Sequence, residues 1–247
     1  MTILITGSTS GIGYALAQQL AQDGADLILL GRRNPSELES SFFTDDRYIQ
    51  VDLAHPRASE TVVTELDKRG VQQINILIHN AGTGYFGDIA TQSPQSIATV
   101  IDVNLTAPVL LTHALLSKLT VAKGKIVLIS SVVANLPAPD YAVYAASKAA
   151  LDEFCDNLRI ELKAQGITVQ VIHPGATQTD MHSKLGIPAE RMDTSKFPSA
   201  ETVAGQIIAT INSKQSQATI GIPNKLMRFA GKHAAGLIDF AMKRSKA

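Results

Sequence analysis

The chain has 247 residues, of which 45% are hydrophobic and 18% charged, a composition that fits a globular α/β protein with a substantial core. Its 22 basic and 22 acidic residues give a formal charge of zero, which excludes a global attraction to nucleic acid or to an anionic membrane. The single cysteine, Cys155, excludes an intrachain disulfide, and neither a signal peptide nor a membrane span is indicated, so we expect a cytoplasmic protein.

A glycine-rich turn follows the first predicted strand. Ile3–Ile5 is a short β-branched run, and the segment Gly7–Gly13 that follows carries a third glycine at Gly11. A helical pattern comes next, and Asp26–Leu30 is a second buried strand. Strand, glycine turn, helix and strand form the unit that binds a dinucleotide with its pyrophosphate at the helix N-terminus. A plain tight turn is the alternative, but this context favours binding.

Two arginines stand at the end of the second strand. Arg32 and Arg33 occupy the region where an acidic residue usually binds a free ribose 2′-hydroxyl. Guanidinium groups instead suit a 2′-phosphate. A solvated basic turn is the alternative, and the position at the strand end favours the phosphate. We therefore predict NADP(H) rather than NAD(H).

The rest of the chain alternates strands and helices. Further strands are predicted at Tyr48–Val51, Ile74–Ile78, Lys125–Ile129, Thr168–Ile172 and Ala218–Ile222. Helices are predicted at Pro56–Arg69, Ser93–Asn104, Leu105–Leu119, Tyr144–Leu162 and Glu201–Asn212. Continuously apolar strands predict a parallel sheet covered on both faces, so the fold class is α/β, a doubly wound (Rossmann) sheet. No linker or repeat divides the chain, and one domain over residues 1–247 is expected.

Tyr144 and Lys148 are four residues apart on a predicted helix. Their phenol and ammonium groups therefore share a face. A phenol has a pKa of about 10, and a nearby cation lowers it toward the range where a general acid or base works well. A surface aromatic with an incidental lysine is the alternative. Tyr141 is the rival phenol, but no lysine stands one turn after it.

The motifs resemble, in order and spacing, the compact single-domain branch of the short-chain dehydrogenase/reductase family. The match covers roughly residues 2–180 and consists of Thr6-Gly-x-x-x-Gly-Ile-Gly13, Asp52, Asn80-Ala81-Gly82, Asn104, Ser131, Tyr144-x-x-x-Lys148 and Pro174-Gly175. Several of these motifs follow predicted strand ends, where ligands of a doubly wound sheet bind. The resemblance implies an enzyme that transfers a hydride between NADP(H) and a carbonyl or secondary alcohol.

The resemblance also implies roles for individual residues. Tyr144 exchanges a proton with the substrate oxygen, Ser131 polarises that oxygen, and Lys148 lowers the phenol pKa. Asn104 supports Lys148 and a water in the proton relay. The implied cofactor-binding residues are Gly7, Ser10, Gly11, Ile12, Gly13, Arg32, Arg33, Asp52, Leu53, Asn80, Ala81, Gly82, Tyr144, Lys148, Pro174, Gly175, Thr177 and Thr179.

Some of these residues have structural alternatives. Asn104 could be the N-cap of the following helix, and Ser131 a strand-end turn residue. Ser130 is the competing hydroxyl, and the family's pattern favours Ser131. His79 and His173 close predicted strands and are expected to be packed structural groups, so no metal is implied.

Beyond residue 179 the resemblance thins. The segment 180–200 is expected to close over an apolar small-molecule substrate. Candidate lining residues, several of which could be core instead, are Met181, Leu185, Ile187, Met192, Phe197, Tyr85, Phe86, Val133 and Leu136. The basic, amphipathic tail 226–247 is expected to dock over the cleft or on another subunit, with membrane contact as the alternative. The family's usual interface helices correspond to Leu105–Leu119 and Tyr144–Leu162, so we expect a homo-oligomer, a dimer or tetramer, and no nucleic-acid partner.

Two other functions compete with the reductase. The first is a catalytically silent dinucleotide-binding sensor or scaffold, which would have no need of Tyr144 or Ser131. The second is a dehydratase or epimerase of the extended relatives, whose larger sugar-binding lobe does not fit in 247 residues.

Overall fold

The computed structural model describes residues 1–38, 41–134, 136–187 and 193–233, and within them seven parallel strands form one sheet. The strands are β1 (Thr2–Thr6), β2 (Asp26–Gly31), β3 (Tyr48–Gln50), β4 (Ile76–His79), β5 (Lys125–Ile129), β6 (Thr168–His173) and β7 (Gln217–Thr219). Their spatial order is β3-β2-β1-β4-β5-β6-β7, so the direction of winding reverses between β1 and β4. This order confirms the predicted doubly wound α/β fold in a single domain.

Helices cover both faces of the sheet. They are α1 (Gly11–Gln22), α2 (Ala58–Lys68), α3 (Pro94–Ile101), α4 (Ala107–Ala122), α5 (Ala142–Glu161), α6 (Met181–Lys184), α7 (Ala200–Ile211) and α8 (Ile222–His233). Helices α1 and α7 pack on one face, and α2, α4 and α5 pack on the other. Parallel strands need such crossover helices, which is why the two elements alternate along the chain.

Alternate residues of the strands supply two separate hydrophobic cores. In β1, Leu4 belongs to the core beneath α2, α4 and α5. Its neighbours Ile3 and Ile5 belong to the core beneath α1 and α7. All three side chains are fully buried. Because both faces are covered, the strands need apolar residues at every position.

The last strand and the helix after it differ from the prediction. The sequence predicts a strand at Ala218–Ile222, but β7 covers Gln217–Thr219 and Ile222 is the first residue of α8. Gly221 lies between them with a φ of 85°. That left-handed conformation suits glycine and turns the chain out of the sheet into the helix. The predicted strand therefore extended too far.

The two helices predicted on either side of Asn104 form one continuous run. Helix α3 passes through a π-helical turn, Asp102–Thr106, directly into α4. Asn104 lies inside that turn, so the alternative that it is a helix N-cap is wrong. A π-helical turn widens the helix by one residue and is common at functional sites.

The run Pro94–Ala122 is long and apolar enough to cross a membrane by length and composition alone, with 29 residues. Its side chains Leu111, Leu115 and Leu119 are buried in the core beneath α2, α4 and α5. Core helices of a domain meet the same criterion of length and composition. Part of the apolar composition of this run is therefore accounted for by packing on the sheet.

Candidate active site

The carboxyl ends of β1 and β4 are tied together by side chains. Asn80 Nδ2 donates to the carbonyl oxygens of Thr6 and Gly7, each at 3.1 Å. In return, Thr6 Oγ1 accepts from the backbone N–H groups of Asn80 at 3.0 Å and Ala81 at 2.9 Å. These bonds fix the start of the glycine-rich turn against the end of β4, at the point where the strand order reverses.

The glycine-rich turn has the shape that a phosphate group requires. Gly7 and Gly11 have φ values of 66° and 55°, and a Cβ at Gly13 would lie 2.2 Å from the Gly7 carbonyl oxygen. Within the described residues, Ser10 makes no side-chain hydrogen bond that caps α1. The first N–H groups of α1 therefore face an edge where a pyrophosphate would supply the acceptors. Ile12 packs against the core and orients this turn.

The segment after β6 lies beside this turn. A Cβ at Gly11 would lie 3.1 Å from Thr179 Cγ2. Thr177 is buried and its Oγ1 donates to the carbonyl oxygen of Gly175 at 3.0 Å, just after the buried Pro174. The structure thus brings Gly11 and the predicted residues 174–179 together.

Arg32 and Arg33 are exposed at the end of β2, on the same edge. Arg33 Nη2 donates to the carbonyl oxygen of Glu37 at 3.1 Å. A Cβ at Gly31 would lie 2.6 Å from Thr9 Cγ2, so the end of β2 abuts the glycine-rich turn. This is the place where a 2′-phosphate would be recognised.

Asp52 and Leu53 continue this edge beyond β3. Asp52 Oδ1 accepts from the Ala54 N–H at 3.0 Å and stabilises the turn into α2. Leu53 is partly buried against the core. The pair adjoins the β2 end because β3 pairs with β2.

Ser131 and Tyr144 meet across the end of β5. Ser131 follows β5 and Tyr144 lies in the first turn of α5, and the Ser131 hydroxyl is near enough to the Tyr144 phenol to lower its pKa. The hydroxyl of Ser130 instead donates to the backbone oxygen of Lys148, at 3.3 Å. Ser130 is thus bonded to the backbone of α5, whereas Ser131 acts on the phenol; the role of Ser131 stays a prediction.

Lys148 lies under the Tyr144 ring and is only 3% exposed. Its Nζ is 6.0 Å from the centroid of that ring and donates to the carbonyl oxygen of Ile129 at 2.9 Å. Burial lowers the pKa of Lys148 to about 8, and the negative charge of Asp152 opposes this shift. The phenol and ammonium share a helix face, as the spacing predicts.

The predicted lowering of the Tyr144 pKa is wrong for the protein alone. Burial raises the pKa of Tyr144 above its usual 10, and the hydrogen bond with Ser131 offsets only part of that rise. The phenol of Tyr141 raises the pKa further. Sequence spacing places the ammonium correctly, but it does not reveal how much water the phenol loses. Tyr144 is therefore protonated at neutral pH.

Asn104 is fully buried and is held by both functions of its amide. Oδ1 accepts from the Thr83 N–H at 2.8 Å, and Nδ2 donates to the Thr83 carbonyl at 2.8 Å and to Ser147 Oγ at 2.9 Å. A Cβ at Gly82 would lie 3.5 Å from Asn104 Oδ1 and 3.6 Å from Lys148 Nζ. Asn104 thus joins the Gly82 loop to the face of α5 that carries Lys148.

The start of the segment 180–200 lies over the same cleft. Its residue Leu185 accepts a backbone hydrogen bond from Phe86 at 3.0 Å. A Cβ at Gly84 would lie 2.7 Å from Leu185 Cδ2 and 3.0 Å from Tyr144 Cδ2, so this glycine separates them. The rings of Phe86 and Tyr141 are in contact, with centroids 5.1 Å apart. Apolar side chains therefore border the Tyr144 phenol.

Two predicted segments extend beyond the described residues. Met192, a predicted lining residue, lies in the undescribed range 188–192. In the predicted tail, residues 226–233 belong to α8, and residues 234–247 lie outside the described part of the chain.

Both strand-end histidines are packed structural groups. His79 Nε2 lies 2.9 Å from Thr112 Oγ1, and burial lowers the pKa of His79 to about 3. His173 is fully buried, with Nε2 2.8 Å from Asp152 Oδ2. Among the described residues, no group of three His, Cys, Asp or Glu side chains could hold a metal ion.

Two residues of this edge had no predicted role, although Thr6 belongs to the predicted glycine motif. Thr6 bridges β1 and β4, and Ser147 links Asn104 to α5. Ser147 lies inside the conspicuous Tyr144–Lys148 stretch, so its neighbourhood was the available signal. The role of Thr6 depends on contacts 74 residues away in sequence, which local patterns do not reveal.

Comparison with known proteins agrees with this architecture. A family model described as short chain dehydrogenase matches residues 1–189. The chain is 36% identical over 186 residues to a serine 3-dehydrogenase from Rhizobium radiobacter, covering 72% of this chain and 73% of that protein.

Solved structures give the same result and hold two forms of the dinucleotide. A short-chain dehydrogenase from Sphingobium yanoikuyae in complex with NADPH has a TM-score of 0.79 and 26% identity, covering 96% of this chain and 94% of that one. A 4-hydroxyisoleucine dehydrogenase mutant complexed with NADH and succinate has a TM-score of 0.76 and 25% identity, covering 89% of this chain and 96% of that one. The chain therefore belongs to the short-chain dehydrogenase family of oxidoreductases, which use a nicotinamide dinucleotide.

Proposed function

We propose that the protein is an NADP(H)-dependent enzyme that interconverts a carbonyl and a secondary alcohol. Tyr144 is the general acid and base, Ser131 polarises the substrate oxygen, and Asn104 and Lys148 support the phenol. The observation that carries this proposal is that the buried Lys148 Nζ lies 6.0 Å from the centroid of the Tyr144 ring, at the strand end where the Ser131 hydroxyl lowers the phenol pKa. A sensor that only bound the dinucleotide would gain nothing from burying a lysine under a phenol.

The residues present fit a dinucleotide at this edge. The Gly7–Gly13 turn and the start of α1 suit the pyrophosphate, and the 174–179 segment lies next to Gly11. When bound, the dinucleotide would supply or accept the hydride, which is chemistry the side chains cannot perform.

The side chains then handle the substrate oxygen and one proton. In the reductive direction the Ser131 and Tyr144 hydroxyls hydrogen-bond the carbonyl oxygen and stabilise the negative charge that develops on it. Tyr144 Oη gives its proton to that oxygen, and in the oxidative direction it takes the proton back. The raised pKa keeps Tyr144 protonated, the form that reduction requires. Lys148, when charged, stabilises the phenolate that remains.

The preference for NADP(H) is supported by Arg32 and Arg33 at the end of β2. Since Arg33 already bonds the Glu37 carbonyl, Arg32 is the better candidate for the 2′-phosphate. Arg32→Ala should weaken NADPH far more than NADH, by roughly tenfold or more for NADPH. Fluorescence titration of both dinucleotides measures this. Equal losses for the two would remove the argument for a phosphate site.

The substrate class we propose is a small or medium apolar carbonyl or alcohol. The side chains of Leu185, Phe86 and Tyr141 support this, since they border the cleft at Tyr144. Apolar walls bury an apolar substrate without leaving a polar group unpaired.

The test is a screen of NADPH oxidation across aldehydes, diketones and cyclic ketones, with NADPH binding measured in parallel. The proposal predicts turnover of at least one apolar carbonyl, and slower turnover of charged analogues. Tight NADPH binding without turnover of any compound would instead favour the sensor or scaffold. Absence of both binding and turnover would overturn the assignment of the glycine-rich edge.

A further inference from the structure

A buried cluster of charged groups joins the C-terminal helix to the helix that carries Lys148. Asp152 follows Lys148 by one turn of α5 and is 5% exposed. Its Oδ2 lies 2.8 Å from His173 Nε2 at the end of β6 and 2.8 Å from Arg228 Nη2 on α8. The three side chains come from three elements, and Arg228 lies 76 residues from Asp152 in the sequence.

Helix α8 also contacts the loop that follows β6. A Cβ at Gly175 would lie 2.2 Å from Asn224 Nδ2, so this glycine is needed for the close approach. Asn224 Nδ2 donates to the Ile220 carbonyl at 2.7 Å, which fixes the amide in that place. Arg228 follows Asn224 by one helical turn and therefore extends from the same face. The helix is thus held against two segments of the candidate site.

Stability alone does not account for this arrangement. Removing a carboxylate and a guanidinium from water costs free energy that their attraction only partly returns, so buried ion pairs contribute little net stability. An apolar packing between α8 and α5 would serve as well for docking. The cluster does, however, place the negative charge of Asp152 one helical turn after Lys148 and pairs it with the positive charge of Arg228.

The charged and titratable groups around Lys148 and its neighbour Asp152 come from three elements, α5, β6 and α8. On α5 itself these are Tyr144 and Asp152, and the charge of Asp152 raises the pKa of Lys148 against the effect of burial. His173 on β6 and Arg228 on α8 both contact Asp152, and Asn104 of the π-helical turn lies near Lys148 through Gly82. On the next turn of α5, the carboxylate of Asp156 acts on Arg228. The positive charge of Arg228 therefore weakens the pull of Asp152 on the Lys148 ammonium.

We propose that Asp152 and Arg228 are positioning residues of the active site, through which α8 sets the orientation and the electrostatic environment of Lys148. This inference rests on the proposed function only in calling Lys148 part of the catalytic machinery. The proposal assigns α8 a role in the active site, in addition to its packing against the domain. His173 Nε2 contacts the same carboxylate oxygen of Asp152 as Arg228 does, and the other ring nitrogen of His173 lies 3.1 Å from the Ala218 carbonyl oxygen.

The test compares two substitutions that should shift the pKa of Lys148 in opposite directions. Arg228→Met leaves the Asp152 carboxylate without its α8 partner, so the pKa of Lys148 should rise by roughly one unit. Asp152→Asn removes the attraction, so the same pKa should fall. Lys225→Met is the matched control, because it removes an exposed positive charge from the same helix and should leave Lys148 unchanged. A purely structural cluster predicts no such opposite shifts.

The measurement is an NMR titration of the full-length protein with ¹⁵N-labelled lysine, in which Lys148→Met identifies the Lys148 Nζ signal. It needs neither substrate nor turnover, so it stands even if the proposed reaction fails. Opposite shifts in the two variants, with none in Lys225→Met, are the expected result. Shifts of the same sign, or no shift in Arg228→Met, would overturn the proposal.

A second arm covers the case in which Asp152→Asn does not fold. Arg228→Lys keeps the positive charge on α8 and should restore the Lys148 titration toward that of the wild type, whereas Arg228→Gln should behave like Arg228→Met. If Lys and Gln at this position give the same Lys148 pKa, charge on α8 is not what Lys148 senses, and the proposal is wrong.

Discussion

The partly exposed Tyr144 and the buried Lys148 share one face of α5, and their pKa values shift in opposite directions. Burial raises the pKa of the Tyr144 phenol and lowers that of the Lys148 ammonium, because each group is disfavoured in its charged form. At neutral pH the phenol keeps its proton, and the ammonium is close to the point where it loses one.

The cost of burying Lys148 predicts a pH dependence of stability. Its pKa is about 8 in the folded chain against a usual 10.5, so the unfolded chain binds more protons between these values. The reduction in the free energy of unfolding caused by burying the Lys148 ammonium is fully present below about pH 8 and disappears as pH rises toward 10.5. Relative to Lys148→Met, the wild type should therefore gain up to about 3 kcal/mol over this range, since one pKa unit is about 1.4 kcal/mol.

Urea unfolding of wild type and Lys148→Met at a series of pH values measures this difference. Lys225→Met, which alters an exposed lysine, should run parallel to the wild type at every pH. A gap between wild type and Lys148→Met that does not change with pH would show that the Lys148 ammonium is not destabilised by burial.

At the scale of elements, the turn between β1 and α1 is the most constrained. A Cβ at Gly13 would lie 2.2 Å from the Gly7 carbonyl and 2.3 Å from Asn80 Nδ2, both of which hold β1 and β4 together. Gly13→Ala should therefore lower stability by about 1–3 kcal/mol and weaken NADPH binding by roughly tenfold. Gly205→Ala in α7 is the control, because its Cβ would be an ordinary 3.5 Å from Gln19 Oε1.

Thermal unfolding of the two variants measures the effect on stability, and NADPH titration measures the effect on cofactor binding. The helical Gly205→Ala should be neutral or slightly stabilising. If Gly13→Ala bound NADPH as tightly as wild type, the turn would not be the rigid cradle described for the pyrophosphate.

Most elements could be predicted because each carries a local pattern. The strands are continuous apolar runs, and the glycine turn between β1 and α1 has a fixed spacing, so both were placed within a few residues. The boundary of β7 was missed because Gly221 ends the strand by its backbone conformation, which hydrophobicity does not report. The π-helical turn at Asn104 was missed since it depends on contacts with Thr83 and Ser147.

The sequence allowed the positions of the site residues to be predicted, but not their pKa shifts or their long-range ion pairs. The placement of Tyr144 one turn before Lys148 follows from helix geometry. The direction of the Tyr144 pKa depends on burial, which only the assembled fold determines. The pairing of Arg228 with Asp152 joins residues 76 apart, and the basic tail gave no indication of its partner.

At the scale of the whole molecule, α4 and α5 keep apolar side chains on their outer faces. Leu110 on α4 is 43% exposed and Ile160 on α5 is 73% exposed. Both fall within the helices that the sequence predicts as a subunit interface. We therefore expect a homo-oligomer by light scattering, and Leu110→Glu should shift it toward smaller species.

Ile89→Glu is the control for this change, since Ile89 is 53% exposed but lies on neither helix. It should leave the molar mass unchanged. A wild-type protein that stays monomeric at high concentration would contradict the predicted interface.

The proposed reaction exchanges one proton between the substrate and the Tyr144 phenol. Tyr144→Phe removes the Tyr144 hydroxyl, whose pKa Ser131 lowers, and keeps the ring that packs beside Gly84. Tyr141→Phe removes a hydroxyl three residues earlier on the chain and serves as the matched control.

The most direct measurement is the turnover number of NADPH-dependent carbonyl reduction in these two variants, with NADPH affinity measured alongside. The account predicts that Tyr144→Phe loses at least roughly a hundredfold in turnover at nearly unchanged NADPH affinity, while Tyr141→Phe keeps most of its activity. Wild-type turnover in Tyr144→Phe would contradict the assignment of this phenol as the proton donor.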